Sequence, residues 1–379
     1  MLQTPRFPRR CLWLAALAFL GLSCVETPGG ITSPDDLTIT GPAGASIAVG
    51  ERVQMAAKAR VGTPATFEWA SSNPSVASVD VSGLVTGLSV GTVTIRVSAG
   101  ENTGSSTLKV TNPLPPGSAV LLAAGDISKC SNDFDEATAK ILDANPTGTV
   151  AVLGDNAYSN GSASDFANCY DPTWGRHIAR TRPAVGNHEY QTPDATGYYA
   201  YFGSKAGDPA KGYYSYNLGE WHVIVLNSNI ARDASSAQLQ WLRADLQANA
   251  GKACTLAYWH HPRFSSGDHG NDASQAPFWD ALYAANADVV LTGHDHNYER
   301  FAPQTPSGSA DNGRGIRAFV VGTGGAETRP VGVTKANSEV FSSASNGVLR
   351  LALSPNGYAW QFLSVAGKTF TDSGTGTCH

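Results

Sequence analysis

The sequence predicts an α/β protein with two domains, a small all-β sandwich over residues 37–111 and a larger α/β domain over residues 118–379. The length of 379 residues is sufficient for two hydrophobic cores. In the first range, short β-branched runs alternate with glycine turns, which is typical of a small sandwich. In the second range, short apolar runs alternate with helical patterns, which favours buried strands covered by helices.

The composition gives no sign of a nucleic-acid partner. The net charge is −5 and only 15% of the residues are charged, whereas such a partner would favour a basic stripe. A small anionic substrate remains compatible with this balance, because bound metal ions can supply positive charge locally.

The N-terminus, residues 1–24, is predicted to be an export signal. Three arginines within residues 6–10 precede the apolar run Leu12–Leu22, which is too short to span a bilayer comfortably. The run ends at Cys24 in a sequence that resembles a bacterial lipoprotein processing site, with Gly21 where such sites prefer leucine. Lipidation of Cys24 and simple cleavage both remain open. We expect an exported bacterial protein that is periplasmic, secreted or an outer-membrane lipoprotein.

Cysteine usage agrees with export. Four of the six cysteines lie beyond the signal, an even number that suits disulfides in an oxidising compartment. Three pairings are open. We favour Cys130 with Cys169 because they are close in sequence, and Cys254 with Cys378 because that bond would fix the C-terminus.

Two segments read as connections. Residues 25–36 are rich in Pro, Gly, Thr and Asp and are predicted to be a tether, and residues 112–117 are predicted to be a semi-rigid, proline-rich linker. Between them, the stretches Trp69–Asp80, Gly83–Gly87 and Gly91–Ile95 resemble the bacterial Ig-like domain of group 2. The resemblance implies a spacer or adhesion module without catalytic chemistry.

The second domain contains five apolar runs that each stop at polar residues. These runs and their stops are Val120–Ala124 before Gly125-Asp126, Val150–Leu153 before Gly154-Asp155, Pro183–Val185 before Gly186-Asn187-His188-Glu189, Leu256–Trp259 before His260-His261, and Val289–Thr292 before Gly293-His294-Asp295-His296. In α/β sheets, functional groups gather at the carboxyl ends of strands. Oxygen and imidazole donors suit first-row metal ions, so the clustering predicts a metal site.

The rest of the domain shows two further patterns. Residues 136–145 and the leucines at 239, 242 and 246 predict helices. After Arg317 the pattern is β only, and we expect three antiparallel strands that complete a sheet, at Ala318–Val321, Val348–Leu353 and Trp360–Ala366.

The five strand-end motifs, in this order, resemble those of the calcineurin-like metallophosphoesterases. Tyr158 and the run Gly293–Arg300 point to the purple acid phosphatase branch, and the resemblance covers residues 118–366. It implies a metallophosphoesterase β-sandwich flanked by helices, in four layers α/β/β/α, preceded here by the small all-β Ig-like sandwich.

The resemblance also implies two metal sites that share Asp155. Asp126, Tyr158 and His296 would complete the first site, and Asn187, His260 and His294 the second. A phenolate is a hard anionic donor, so Fe(III) is expected beside Tyr158. The second site would suit Fe(II), Zn(II) or Mn(II).

The implied reaction is hydrolysis of a phosphate ester. Two metals about 3.5–4 Å apart would clamp the entering and leaving oxygens and make hydroxide the nucleophile. His188 would contact the phosphate and protonate the leaving group, an effect of about 10²–10⁴-fold. His269 matches a substrate-facing His of plant members, with an ordinary loop His as the alternative. Asp295 is expected to add a carboxylate near the metals.

Three functions follow from these observations. The first is hydrolysis of small phosphate monoesters, and the second is hydrolysis of phosphodiesters on the same metal core. The third is a non-catalytic surface or adhesion protein, which the Ig-like module suggests. A protein that only binds has no need of all seven metal ligands, which favours the two enzymes.

Overall fold

The structure, a computed structural model, describes residues 37–40, 46–59, 66–100, 102–111, 113 and 115–379. The predicted export signal at 1–24 and the predicted tether at 25–36 lie outside these residues. Within the described ranges, no helix combines the length and the apolar character that a membrane crossing requires.

The N-terminal domain consists of strands, as its sequence pattern predicts. Within its described residues, the strands are β1 Leu37–Thr40, β2 Ser46–Ala48, β3 Arg52–Gln54, β4 Ala56–Ala59, β5 Glu68–Ser71, β6 Ala77–Val79, β7 Leu84–Gly87, β8 Gly91–Ala99 and β9 Asn102–Thr111. They form a four-stranded sheet in the order β2-β9-β8-β5, a three-stranded sheet β3-β7-β6 and the pair β1-β4.

The two larger sheets of this domain share one core. Val93, Ile95 and Val97 alternate with exposed or half-buried residues along β8, so one face of the strand is apolar. Ile95 packs in the same cluster as Val85 of the three-stranded sheet and Leu108 of β9. This shared core makes the domain a β-sandwich.

The second domain begins with β10 and combines strands and helices. Its strands are β10 Ala119–Ala124, β11 Thr149–Leu153, β12 Thr181–Ala184, β13 Tyr214–Leu218, β14 Trp221–Val225, β15 Cys254–Tyr258, β16 Val289–Thr292, β17 Tyr298–Phe301, β18 Arg317–Val321, β19 Ser338–Ser342, β20 Gly347–Ser354, β21 Gly357–Ser364 and β22 Ser373–Thr377. Its α-helices are α1 Phe134–Asp143, α2 Ala163–Asp165, α3 Thr196–Phe202, α4 Ala237–Ala248 and α5 Ala276–Ala284. Short 3₁₀ and π turns occupy Phe166–Tyr170, Trp174–Arg180, Glu189–Gln191, Pro193–Ala195, Gly203–Ala206 and Ala273–Gln275.

The strands form two sheets of six and seven members. The six-stranded sheet has the order β12-β11-β10-β20-β21-β22, and the seven-stranded sheet has the order β13-β14-β15-β16-β18-β17-β19. Side chains alternate between two cores along the central strands of the larger sheet. Val223 and Leu256 belong to the core between the sheets, whereas Ile224 and Ala257 pack in a second core with Leu242 of α4 and other helical residues.

This alternation sets the layers of the domain. Helices α4 and α5 cover the outer face of the seven-stranded sheet, and α1 packs against the other sheet near β20. The domain is therefore a β-sandwich flanked by helices, which confirms the predicted α/β/β/α arrangement. The helices predicted at 136–145 and around Leu242 correspond to α1 and α4.

One strand prediction is wrong. The three late strands do not complete a single sheet by antiparallel pairing. Strand β18 lies in the seven-stranded sheet and runs parallel to β16, with an antiparallel neighbour only in β17, while β20 and β21 extend the other sheet. Apolar alternation reports that a strand is half-buried, but it carries no information about which strand pairs with it.

Two disulfides confirm the favoured cysteine pairing. Cys130 is bonded to Cys169, and Cys254 to Cys378, across 39 and 124 residues of sequence. Cys254 begins β15 in the seven-stranded sheet, and Cys378 directly follows β22 at the edge of the six-stranded sheet. The second bond therefore ties the C-terminus across the sandwich.

Candidate metal centre

The polar residues that follow β10 and β11 meet because these strands are parallel neighbours. The Asp126 amide bonds to the Gly154 carbonyl and the Ile127 amide to the Asp155 carbonyl, so the pairing continues into both loops. Asp126 and Asp155 have left-handed backbones, with φ of 60° and 49°. Such a conformation reverses the chain at once and keeps both carboxylates, which are almost fully buried, at the strand ends.

Strand β15 delivers a histidine to the same place from the other sheet. Nδ1 of His260 lies 2.9 Å from the carbonyl oxygen of Leu153, at the end of β11. This hydrogen bond connects the carboxyl ends of the two sheets. Nδ1–H donates this hydrogen bond to the carbonyl, which leaves Nε2 as the nitrogen free to bind a metal.

Three side chains converge on the phenol of Tyr158 and form a group of four with it. Its oxygen lies 3.0 Å from Asp126 Oδ1, 3.2 Å from Asp155 Oδ2 and 3.2 Å from His296 Nε2. His296 Nε2 is also 3.4 Å from Asp126 Oδ1. Four donor atoms this close, two of them carboxylate oxygens, have the spacing and chemistry of a metal-ligand set.

A second group converges on Nε2 of His260. That nitrogen lies 3.0 Å from Asn187 Oδ1, 3.2 Å from His294 Nδ1 and 3.3 Å from Asp155 Oδ2. The donors here are an amide oxygen, two imidazoles and the shared carboxylate. Asp155 Oδ2 therefore belongs to both groups, as the sequence motifs implied.

The other oxygens of the two carboxylates are held by backbone amides. Asp155 Oδ1 accepts the amide of His188 at 2.9 Å, and Asp126 Oδ2 accepts the amide of His294 at 2.8 Å. Each carboxylate therefore has one oxygen fixed by the fold and one directed into the donor groups. The Nδ1 of His296 is likewise engaged, at 3.0 Å from the Glu327 carbonyl, which frees its Nε2.

The electrostatics of these groups fit a cation. Within the described residues, the ion-pair partners of Asp126 and Asp155 are all histidines, and neither carboxylate meets a lysine or arginine. Burial, reinforced by both carboxylates, raises the pKa of Tyr158 well above its usual value. Phenolate ligation therefore requires a metal ion, and binding must release the phenol proton.

The pKa values of the two histidines in the second group are shifted in opposite directions. Burial lowers the pKa of His260, but the adjacent Asp155 carboxylate outweighs it and raises the pKa to about 9. Burial and the neighbouring His260 and His261 hold the pKa of His294 far below its usual value. The His294 ring is therefore neutral and available as a donor at any physiological pH.

His188 lies beside both groups without joining either. Its Nδ1 is 2.5 Å from the Ser159 carbonyl oxygen, and its Nε2 is 3.8 Å from Asp155 Oδ2. The ring meets Tyr158 edge-on at 4.5 Å, and the side chain is 30% exposed. A solvent-accessible imidazole with a fixed Nδ1 can present Nε2 to a bound molecule.

His269 lies beside the second group, next to His294. Its ring lies 4.0 Å from the ring of His294, and its side chain is 42% exposed. The structure thus brings all nine predicted site residues into one region, seven in the two donor groups and His188 and His269 at their margin.

Asp295 is held by the loop that contains Ser265 and His269. Its carboxylate joins neither donor group, and instead accepts hydrogen bonds from His269 and Ser265. The reason is tertiary, because the hydrogen-bond donors to this carboxylate come from a loop 26–30 residues away in sequence. The expectation that Asp295 adds a carboxylate near the metals stays a prediction.

Two residues of the motifs, Glu189 and His261, support the donor groups without joining them. The buried carboxylate of Glu189 accepts the amides of Asn156, Ala157 and Gly186, and so joins the loops after β11 and β12. His261 bonds to Ser228 and packs its ring 4.3 Å from His294. Hydrogen bonds accepted by backbone carbonyls cannot be recognised from the types of side chain in the sequence.

The family comparisons agree with this geometry. Residues 119–298 match the calcineurin-like phosphoesterases, and residues 37–110 match the bacterial Ig-like domain (group 2). Both resemblances predicted from the sequence are thereby confirmed. The chain carries a calcineurin-like phosphoesterase domain behind an Ig-like domain.

Two acid phosphatases from other organisms match part of the chain. Purple acid phosphatase 15 of Arabidopsis thaliana is 29% identical over 217 residues, which cover 48% of this chain and 40% of that protein. Acid phosphatase type 7 of Homo sapiens is 29% identical over 216 residues, 48% of each chain. The chain therefore spans less than half the length of these curated relatives.

Two solved structures share the fold. The purple acid phosphatase PPD1 isolated from yellow lupin (Lupinus luteus) seeds has a TM-score of 0.57 at 14% identity, over 91% of this chain and 74% of that one. GAP50, the anchor in the inner membrane complex of Plasmodium, has a TM-score of 0.55 at 16% identity, over 69% and 89%. At these identities the likeness confirms the metallophosphoesterase fold alone.

Replacing Gly186 with alanine should damage the centre. A Cβ at this position would lie 2.1 Å from the amide nitrogen and from Oδ1 of Asp155, a contact that the protein can relieve only by displacing that carboxylate. We expect Gly186→Ala to lower the free energy of unfolding by about 1–3 kcal/mol and to weaken metal binding in a calorimetric titration.

The matched control for this variant is Gly251→Ala. A Cβ at Gly251 would have no neighbour within 4 Å, so both quantities should keep their parent values. Parent-like metal binding by Gly186→Ala would show that the position of Asp155 does not govern the centre.

Proposed function

We propose that this chain is an exported phosphoesterase with a dinuclear metal centre, and that it hydrolyses small phosphate monoesters. The observation that carries the proposal is the position of Asp155 Oδ2, which lies 3.2 Å from Tyr158 oxygen and 3.3 Å from His260 Nε2. One carboxylate oxygen within reach of both donor groups is what two adjacent cations require. Purple acid phosphatases among the similar proteins support the same reaction.

The seven residues of the two groups would hold the metals. Asp126, Tyr158, His296 and Asp155 would form one site, and Asn187, His260, His294 and Asp155 the other. Two bound cations would supply positive charge for the phosphate oxygens and lower the pKa of coordinated water towards neutrality. The rim of the centre is open to solvent at His188 and His269, which leaves access for a small ester.

His188 is the proposed proton donor to the leaving oxygen. As an imidazolium, it would donate an Nδ1–H hydrogen bond to the Ser159 carbonyl and transfer its Nε2 proton to the leaving oxygen of the ester. His269, whose ring packs against His294, is the proposed second contact for the phosphate.

The donor chemistry supports different metals in the two sites. We propose Fe(III) beside Tyr158, whose phenolate would join two carboxylates in one hard, anionic set. The second set contains an amide oxygen, two imidazoles and the shared carboxylate, which suits Fe(II), Zn(II) or Mn(II).

Export is part of the proposal. The basic and apolar segment at residues 1–24 supports it, and so do the two disulfides, which persist in oxidising compartments. The Ig-like domain would then act as a spacer between the cell envelope and the phosphoesterase domain.

An Asp155→Ala variant should lose hydrolysis, because both donor groups lose their shared oxygen. The measurement compares parent, Asp155→Ala and the exposed control Asp280→Ala, each loaded with iron and zinc, on 4-nitrophenyl phosphate and bis(4-nitrophenyl) phosphate. We expect parent and control to prefer the monoester. A preference for the diester would overturn the substrate class, and a loaded parent inactive on both esters would overturn the enzyme itself.

A Tyr158→Phe variant should lose the colour of the iron-loaded protein. Tyrosinate bound to Fe(III) absorbs visible light, so the parent and the remote control Tyr283→Phe should be purple and Tyr158→Phe should not. Visible spectra and metal analysis of the three proteins check this. A colourless parent that contains iron would exclude Tyr158 from the metal site.

A further inference from the structure

The loop from Ser265 to His269 is folded around the carboxylate of Asp295. Oδ1 accepts the backbone amide of His269 at 2.9 Å and its ring Nδ1 at 2.8 Å, while Oδ2 accepts the hydroxyl of Ser265. Gly267 makes the wrap possible, since a Cβ there would lie 2.5 Å from the Asp295 carboxyl carbon. The carboxylate is 1% exposed.

The charge of Asp295 has one basic neighbour. Across the described residues, its only ion-pair partner is His269, and neither lysine nor arginine comes within ion-pair distance of it. A buried carboxylate needs hydrogen-bond donors to offset its lost hydration. In the described part of the chain, the hydrogen bonds that the Asp295 carboxylate accepts all come from the Ser265–His269 loop. Asp295 and His269 are therefore energetically coupled.

This contact determines which ring nitrogen of His269 carries a proton towards Asp295. A carboxylate accepts and cannot donate, so Nδ1 must carry a proton and Nε2 is the free nitrogen. No hydrogen bond within the described part of the chain engages Nε2. The ring is also packed at 4.0 Å and 32° against His294, which restricts its rotation.

We propose that Asp295 is a positioning residue that fixes the orientation and the Nδ1–H tautomer of His269, so that Nε2 is presented to the phosphate ester. The proposal rests on the proposed function, in which His269 contacts the substrate. It assigns to Asp295 the role that Ser159 has for His188, because each acceptor holds Nδ1 of a histidine at the rim of the centre.

A purely structural role for Asp295 would give different results. If the carboxylate only held the loop, its loss would destabilise the protein or the metal ligands His294 and His296, whether or not His269 were present. If it positions His269, its loss should matter only while that imidazole is there. A neutral acceptor of the same shape should also restore most of the effect, since Asn keeps an oxygen for the ring.

The first test measures the tautomer directly and does not depend on hydrolysis. Long-range ¹H–¹⁵N correlation spectra of the full chain, loaded with diamagnetic zinc, report which ring nitrogen is protonated. The spectrum of His269→Ala identifies the His269 signals among the nine histidines. We expect Nδ1–H in the parent and in Asp295→Asn, and a shift towards Nε2–H in Asp295→Ala. An Nε2–H tautomer in the parent would overturn the proposal even if every variant failed to fold.

The second test is a double-mutant cycle on kcat/KM, with metal content measured for each protein. Asp295→Ala should lower kcat/KM at least about tenfold, the usual effect of losing a residue that orients a functional histidine, and Asp295→Asn should recover most of it. In a His269→Ala background, Asp295→Ala should cause no further loss. An equal loss in both backgrounds, or loss of metal in Asp295→Ala, would show a structural role. An inactive parent that keeps the Nδ1–H tautomer would instead count against the proposed function.

Discussion

The candidate centre depends on one carboxylate oxygen. Asp155 Oδ2 lies within 3.3 Å of donor atoms from both groups, while Oδ1 is fixed by the amide of His188. Because Oδ2 contacts both donor groups, a shift of the Asp155 loop would change both groups at once. It also couples them to His188, whose backbone holds the carboxylate and whose imidazole stands 3.8 Å from it. The fold, the ligand sets and the proposed proton donor thus meet at a single side chain.

The sandwich supplies the precision that such an arrangement needs. Parallel strands bring Asp126 and Asp155 to one edge, and the bond from His260 to the Leu153 carbonyl connects the second sheet to the same edge. Glycine permits the close approach, since a Cβ at Gly293 would lie 2.6 Å from Asp126 Oδ2. Around the donors, fixed acceptors set the tautomers of the histidines. A site built in this way is preorganised, so the binding of a metal or a phosphate does not have to order its side chains.

Much of this could be read from the sequence, for physical reasons that also explain what could not. Buried strands are apolar without interruption, so the polar stops at Asp126, Asp155 and His260 were visible. The seven proposed ligands were assigned by motif resemblance, because spacing alone does not say which atoms converge. The direction of Asp295 depends on a loop 26–30 residues away in sequence, and the pairing of β18 depends on its neighbours. Contacts of this kind are set by tertiary packing, and a linear pattern does not contain them.

The measurement that tests the central claim most directly is anomalous diffraction from crystals of the metal-loaded protein. The account predicts two metal peaks per chain, with Asp155 bound to both, Tyr158 bound to one, and His260 bound to the other. Data collected at the iron and zinc absorption edges would identify the metal at each position. A single peak, or two peaks of which only one is bound by Asp155, would contradict the bridge on which the proposed chemistry rests.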